Sequence, residues 1–334
     1  MDANFFPQPA ELLRFLPETI LTIAGTLLLV VEGYKKEHDS RSSIVTLTAI
    51  AIGLAMYGTV VAYQTPGMAF SNMLISDGYA AFFRLVVLAV GLLTVLSSSA
   101  YLEREKSNTG EFYVLILFSL AGQCLMVAAN ELMMVFIGLE VSSIASYILA
   151  GYLRDDKRGN EASLKYFLLG SFATAFLLYG VAWVYGMTGS TNLLEIREAI
   201  TKGVPSMTMV SAAAGLMLVG FAFKISAAPF QGWAPDVYQG APAPVSGFLS
   251  AGPKAAAFES LTPRGEPVLW TVALATMSIG NFAALWQNNI KRMPGYSSIA
   301  HADYVLVAVT TRVCDMKVEV RPPGGTPNNL RTGH

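Results

Sequence analysis

Charge is scarce in this 334-residue chain: Asp, Glu, Lys and Arg make up 13% of it. A soluble domain carries about 25%. The shortage is concentrated in long apolar blocks, each able to cross roughly 30 Å of hydrocarbon, which excludes an ordinary water-soluble surface. Cysteine is almost missing, with Cys124 and Cys314 as the pair present. Two isolated thiols build no iron–sulfur site and give no CxxC metal spacing. No glycine-rich phosphate loop occurs, so redox or nucleotide chemistry belongs to other chains. A net charge of −1 without a basic run speaks against nucleic acid as a partner. No nucleophile–base constellation points to an enzyme with a substrate of its own.

What is present reads as an all-α polytopic membrane protein in the lipid bilayer. Ten spans are expected at roughly 16–33, 44–63, 79–101, 112–129, 132–153, 162–187, 207–228, 242–258, 268–286 and 297–310. The first span shows no small-x-small cleavage pattern and is expected to be retained. Leu193–Ile200 (LLEIREAI) is expected to form a short interfacial helix. Lys35, Lys36 and Arg41 follow span 1, Arg104 and Lys106 follow span 3, and Arg154, Lys157 and Arg158 follow span 5. The loops after spans 2 and 4 hold no Lys or Arg. Positive charge stays on the cytoplasmic side, so the N-terminus is expected outside. The tail from Thr311 to His334 breaks that pattern with Arg312, Lys317, Arg321 and Arg331 and reads as disordered.

Several ionisable residues lie inside these oily stretches, where each costs at least about 2.5–3.5 kcal/mol. Glu140 falls near the middle of span 5, with Phe136, Ser143 and Tyr147 on its face. It reads either as a proton-path carboxyl or as a structural ion pair or neutral acid. Lys224 precedes Pro229 by five residues. Proline lacks an N–H and clashes with the carbonyl four residues back, so the helix is expected to break just after the lysine, a pattern of ion paths. The alternative is a lysine that snorkels to the interface. Lys254 follows Pro253, with Ser246 and Ser250 near its face, and carries the same alternative. Lys165, one turn into span 6, and Arg84, early in span 3, read as interface anchors.

Between Phe221 and Phe258 the chain reads FAFKISAAPFQGWAPDVYQGAPAPVSGFLSAGPKAAAF. This run resembles the antiporter-type membrane subunits of respiratory complex I (NADH:quinone oxidoreductase), and within them the subunit N branch. GLEVSSIASYILAGY around Glu140, EASLKYFLLGSFATAFLLYG around Lys165 and IKRMPGYSSIAHADY at 290–304 agree with it. The resemblance implies an antiporter-like helix bundle that moves protons while other subunits, carrying FMN and iron–sulfur clusters, reduce quinone. It implies that Glu140 pairs with Lys224, that Lys165 bridges onward, and that Lys254 continues a central axis with His301. Implied partners are the larger M/L-type and the small K/J/A-type membrane chains of a bacterial inner membrane. Two relatives in function remain open: a subunit of a multisubunit cation/proton antiporter, and a structural membrane subunit without transport.

Departures from the family pattern are Gln231, where a histidine is common, and Asp303, where a glycine is common. The resemblance divides the chain into 1–111 (three N-terminal spans), 112–258 (an antiporter-like repeat, broken near Pro229), 259–310 (the start of a second repeat) and 311–334 (a tail outside the family pattern). The family has about fourteen helices in two inverted repeats. The ten expected here suggest a C-terminally truncated or frameshifted copy.

Overall fold

The structure, a computed structural model, describes residues 8–34, 42–107, 109–203, 205–260, 266–285 and 292–310. The polar tail 311–334 and the side chain of Asp303 lie outside the described residues. The helices are α1 Pro9–Arg14, α2 Leu16–Tyr34, α3 Ser42–Gln64, α4 Gly78–Arg104, α5 Gly110–Ala128, α6 Leu132–Ala150 and α7 Lys157–Thr188. They continue with α8 Leu193–Thr201, α9 Met207–Ile225, α10 Ala234–Gly240, α11 Ala243–Ser260, α12 Glu266–Leu285 and α13 Arg292–Thr310. Each of the ten expected spans is a helix, and the LLEIREAI segment is α8. Among the described residues, seven segments are long and apolar enough to cross a membrane, the last being Met207–Gly240, which spans α9 and α10. The fold is that of an all-α polytopic membrane protein.

Lipid is as apolar as leucine, so helices associate in a membrane through close packing of small residues. α5 is buried along most of its length and packs on α2, α4, α6 and α11. Its crossing with α6 is set by two glycines. A Cβ at Gly138 would sit 2.7 Å from the Gly122 carbonyl oxygen, and one at Gly122 would sit 2.6 Å from the Gly138 carbonyl oxygen. Backbone lies on backbone there, two residues before Glu140. α7 and α9 meet in the same way at Gly180, whose added Cβ would stand 2.8 Å from the Ala213 carbonyl oxygen.

The connecting segments sort to two ends. At one end a two-stranded antiparallel hairpin, β1 Gly67–Ala69 and β2 Leu74–Ser76, pairs Gly67 with Ser76. Its turn residues Phe70, Ser71 and Asn72 take left-handed φ angles of 52°, 55° and 68°. The hairpin is held by Asn130, whose side chain donates to the Asn72 carbonyl at 2.9 Å, and by Asn192, which donates to the same carbonyl at 3.1 Å. At the other end Glu32 accepts from the Gly110 N–H at 2.9 Å, and the Thr109 and Tyr152 hydroxyls share a hydrogen bond. Links 2, 4 and 6 thus gather opposite links 3 and 5, as an alternating up–down bundle requires. Periodicity gave no sign of the hairpin, whose strands are three residues each.

One expectation is overturned. Arg84 is not an interface anchor: its side chain is 1% exposed, and its guanidinium contacts the Glu18 carboxylate at 2.6 Å across α2 and α4. The sequence hid this because the partners lie 66 positions apart, and no local spacing joins them. Burial inside the bundle makes pairing obligatory for both charges.

Candidate functional site

The site grows from the break in α9. Pro229 cannot donate to the Ile225 carbonyl, and α9 ends at Ile225 with Ser226 in the left-handed region, φ 61°. The chain passes through a 3₁₀ turn, Phe230–Trp233, into α10. The freed backbone groups find partners, as membrane depth demands. Ala227 N–H donates to the Ala222 carbonyl at 2.8 Å. The Trp233 indole donates to the Phe223 carbonyl at 2.9 Å. Ala228 N–H donates to the Thr276 hydroxyl of α12 at 2.9 Å. Trp233 in turn stacks on Tyr166 of α7, ring centroids 4.3 Å apart.

Lys224 stands at that break and is 3% exposed, which removes the snorkelling alternative. Its ammonium donates to the Ser143 hydroxyl of α6 at 2.8 Å. Glu140 lies one turn before Ser143 and is the carboxylate within electrostatic range of Lys224. The two do not form the expected ion pair within 4.0 Å. Ser143 takes the ammonium instead, and Glu140 Oε1 is buried without a hydrogen-bond partner. The acid and the hydroxyl that holds the base thus lie one turn apart on α6.

Lys254 is 4% exposed and likewise does not snorkel. It donates to the Ser298 hydroxyl at 3.0 Å and carbonyl at 3.3 Å on α13. Its ammonium sits 5.7 Å from the centroid of the Tyr238 ring, a cation–π distance. Pro253 lies inside α11 without ending it. The Leu249 carbonyl that Pro253 cannot reach accepts from the Tyr238 hydroxyl at 3.5 Å.

Lys165 is not brought to Lys224 or Lys254. Its side chain is 47% exposed and pairs with Glu161 at 2.7 Å and with Asp236 at 3.2 Å. Asp236 also holds Arg292 at 2.8 Å, tying α7, α10 and α13 together. The physical reason is its place on α7: Lys165 lies in the first third of that 32-residue helix, facing Asp236 of α10. His301 is on α13 and exposed. Gln231 follows the break, and its Oε1 is buried without a partner.

Sequence reasoning missed three polar partners. Ser143 had a signal, its helical spacing from Glu140, which puts it on the Glu140 face without showing that the Lys224 ammonium meets it. Thr276 and Ser298 had none, because their partners Ala228 and Lys254 lie 48 and 44 positions away.

The sequence family described as NADH:quinone oxidoreductase/Mrp antiporter, TM, matches residues 129–317, which hold all five expected site residues. The chain is 58% identical over 313 residues to NADH-quinone oxidoreductase subunit N 1 of Solibacter usitatus, covering 90% of this chain and 64% of that one. It is 46% identical over 312 residues to NADH-quinone oxidoreductase subunit N of Trichlorobacter lovleyi, again covering 90% and 64%. A chain of respiratory complex I from Thermus thermophilus superposes with a TM-score of 0.75 at 35% identity, covering 88% of this chain and 64% of that chain. The chain thus spans a little under two thirds of the relatives it matches. A family match over more than half of the chain and relatives of this identity place it: the chain belongs to the NADH:quinone oxidoreductase/Mrp antiporter transmembrane family.

Proposed function

We propose that the chain is a proton-translocating membrane subunit of an NADH:quinone oxidoreductase. The observation that carries this reading is the Glu140–Ser143–Lys224 arrangement at the helix break. A carboxylate that approaches the ammonium holds the proton on lysine, and its withdrawal releases the proton. Lys254, sheltered between Ser298 and Tyr238, is the next buried base, and His301 on α13 is the onward group. Lys165, with Asp236 and Glu161, serves at the mouth of the path. The transport unit is 112–258, flanked by helices 1–111 and by the helices of 259–310.

Electron transfer from NADH to quinone belongs to partner subunits with FMN and iron–sulfur clusters, and this chain contributes proton transfer. The partners are the M/L-type and small K/J/A-type chains. The location is a bacterial inner membrane, and the basic links support an N-terminus on the outside. The names of the relatives support the oxidoreductase over the antiporter complex that shares the family. Co-purification with flavin and iron–sulfur subunits separates those two readings.

The decisive test is Lys224→Ala in the assembled membrane complex, with NADH-driven proton uptake into vesicles measured beside NADH oxidation. The expected result is at least a tenfold loss of uptake with assembly retained. A scaffold without transport would lose assembly or nothing, and unchanged uptake per NADH would sink the reading.

A further inference from the structure

We propose that the Tyr238 ring is one wall of a neutral cage that holds the Lys254 ammonium where a carboxylate would otherwise stand. This positioning role rests on the proton-transfer reading above. The buried cations of the bundle are not held alike. Arg84 sits against the Glu18 carboxylate, and Glu140 lies within electrostatic range of Lys224. Lys254 is as deeply buried, at 4% exposed, yet no carboxylate among the described residues stands within 4.0 Å of it. A buried charge without compensation is costly, so neutral groups must take the counter-ion's place.

An ammonium has three N–H donors and no acceptor, and three acceptors surround this one. The Ser298 hydroxyl lies at 3.0 Å and the Ser298 carbonyl at 3.3 Å, both on α13. The third is the Tyr238 ring of α10, its centroid 5.7 Å from Nζ. The negative face of an aromatic ring attracts a cation within about 6 Å. The Ser298 hydroxyl donates to the Ser250 carbonyl at 3.5 Å, so its oxygen is left to accept from the lysine.

Tyr238 is fixed as a wall must be. It is buried, and a Cβ at Gly295 would stand 3.0 Å from its Cδ2, so the start of α13 lies directly against the ring. Trp233 packs on it at a tilt, ring centroids 6.2 Å apart. The Ser246 hydroxyl donates to the Tyr238 carbonyl at 3.1 Å. Two residues earlier, Asp236 ties α10 to Arg292 and Lys165. Neutral walls suit a relay site for a physical reason. A carboxylate in contact favours the charged lysine and opposes release of its proton. The cage orients the ammonium with no ion pair to separate. Lys254 takes up a proton as ammonium and gives it up as amine, while Ser298 and Tyr238 keep their own.

The test is made in the assembled complex, with NADH-driven proton uptake into vesicles as the readout. Tyr238→Leu removes the aromatic face and is expected to cut uptake about tenfold or more with assembly intact. Tyr238→Phe keeps the face and is expected to rescue that loss. A second series keeps the shape of the wall and does not depend on the leucine variant folding: mono-, di- and trifluorinated phenylalanine at position 238. Each fluorine draws charge from the ring face, so uptake is expected to fall stepwise to about tenfold below that of Tyr238→Phe. A flat fluorine series overturns the cage whatever Tyr238→Leu does. A Tyr238→Phe rate as low as that of Tyr238→Leu gives the role to the hydroxyl and overturns it too. With Lys254→Ala dead, either result leaves the proton-transfer reading standing. A wild-type rate in Lys254→Ala takes Lys254 out of that reading and overturns the cage with it.

Discussion

Replacing Arg84 by Ala, and separately replacing the pair by Glu18→Leu with Arg84→Met, asks whether a buried charge pair stabilises this bundle or merely has to be complete. At the observed 2.6 Å separation, an effective dielectric constant of about 20 gives an attraction of about 6 kcal/mol. Against it stands a desolvation cost of several kcal/mol for each ion. Glu18 Oε2 and Arg84 Nε are also buried without hydrogen-bond partners, and each such atom costs about 1–3 kcal/mol. On these figures the pair costs at least as much as it returns, while a single charge left behind is severe. Arg84→Ala is expected to destabilise by about 3–5 kcal/mol, and the apolar double replacement Glu18→Leu with Arg84→Met to lie between neutral and about 1–4 kcal/mol more stable. The assay is SDS-driven unfolding from detergent micelles followed by circular dichroism. A loss below about 1 kcal/mol for Arg84→Ala, the value of an exposed pair, would refute the buried placement. The double replacement is also expected to leave proton uptake unchanged, since neither residue touches Lys224, Glu140 or Lys254.

Two further outcomes follow from the geometry. Gly138→Ala puts a methyl 2.7 Å from the Gly122 carbonyl oxygen and the Met126 nitrogen, both backbone atoms that cannot rotate away; a cost of about 1–3 kcal/mol and a lower yield of assembled protein are expected, and wild-type stability would mean the helices do not cross there. Thr276→Val removes the acceptor for the Ala228 N–H at constant shape, so a loss of about 1–3 kcal/mol is expected, with Thr276→Ser restoring it. Equal stability of the Val and Ser variants would show that the break does not depend on α12.

Much of the fold was legible in the residues. Ten apolar stretches became ten helices because a helix is the way to satisfy the backbone inside hydrocarbon with few outside partners. Pro229 located the break in α9 to within a few residues because its missing N–H acts locally. Pro253 did not break α11, which runs on to Ser260.

The sequence by itself placed Glu140, Lys224 and Lys254 in apolar stretches long enough to cross a membrane and left open whether the two lysines snorkel, since hydropathy and length act along one segment at a time. Tertiary structure alone decided what each of them touches. It turned Arg84 from an anchor into half of an ion pair with Glu18, set the Lys224 ammonium on Ser143, and joined Lys165 to Asp236 of α10. The reason is that hydrogen bonds and ion pairs act over about 3 Å, and the partners on other helices stand 44 to 81 positions apart in the chain. No periodicity within a helix encodes a meeting between two of them.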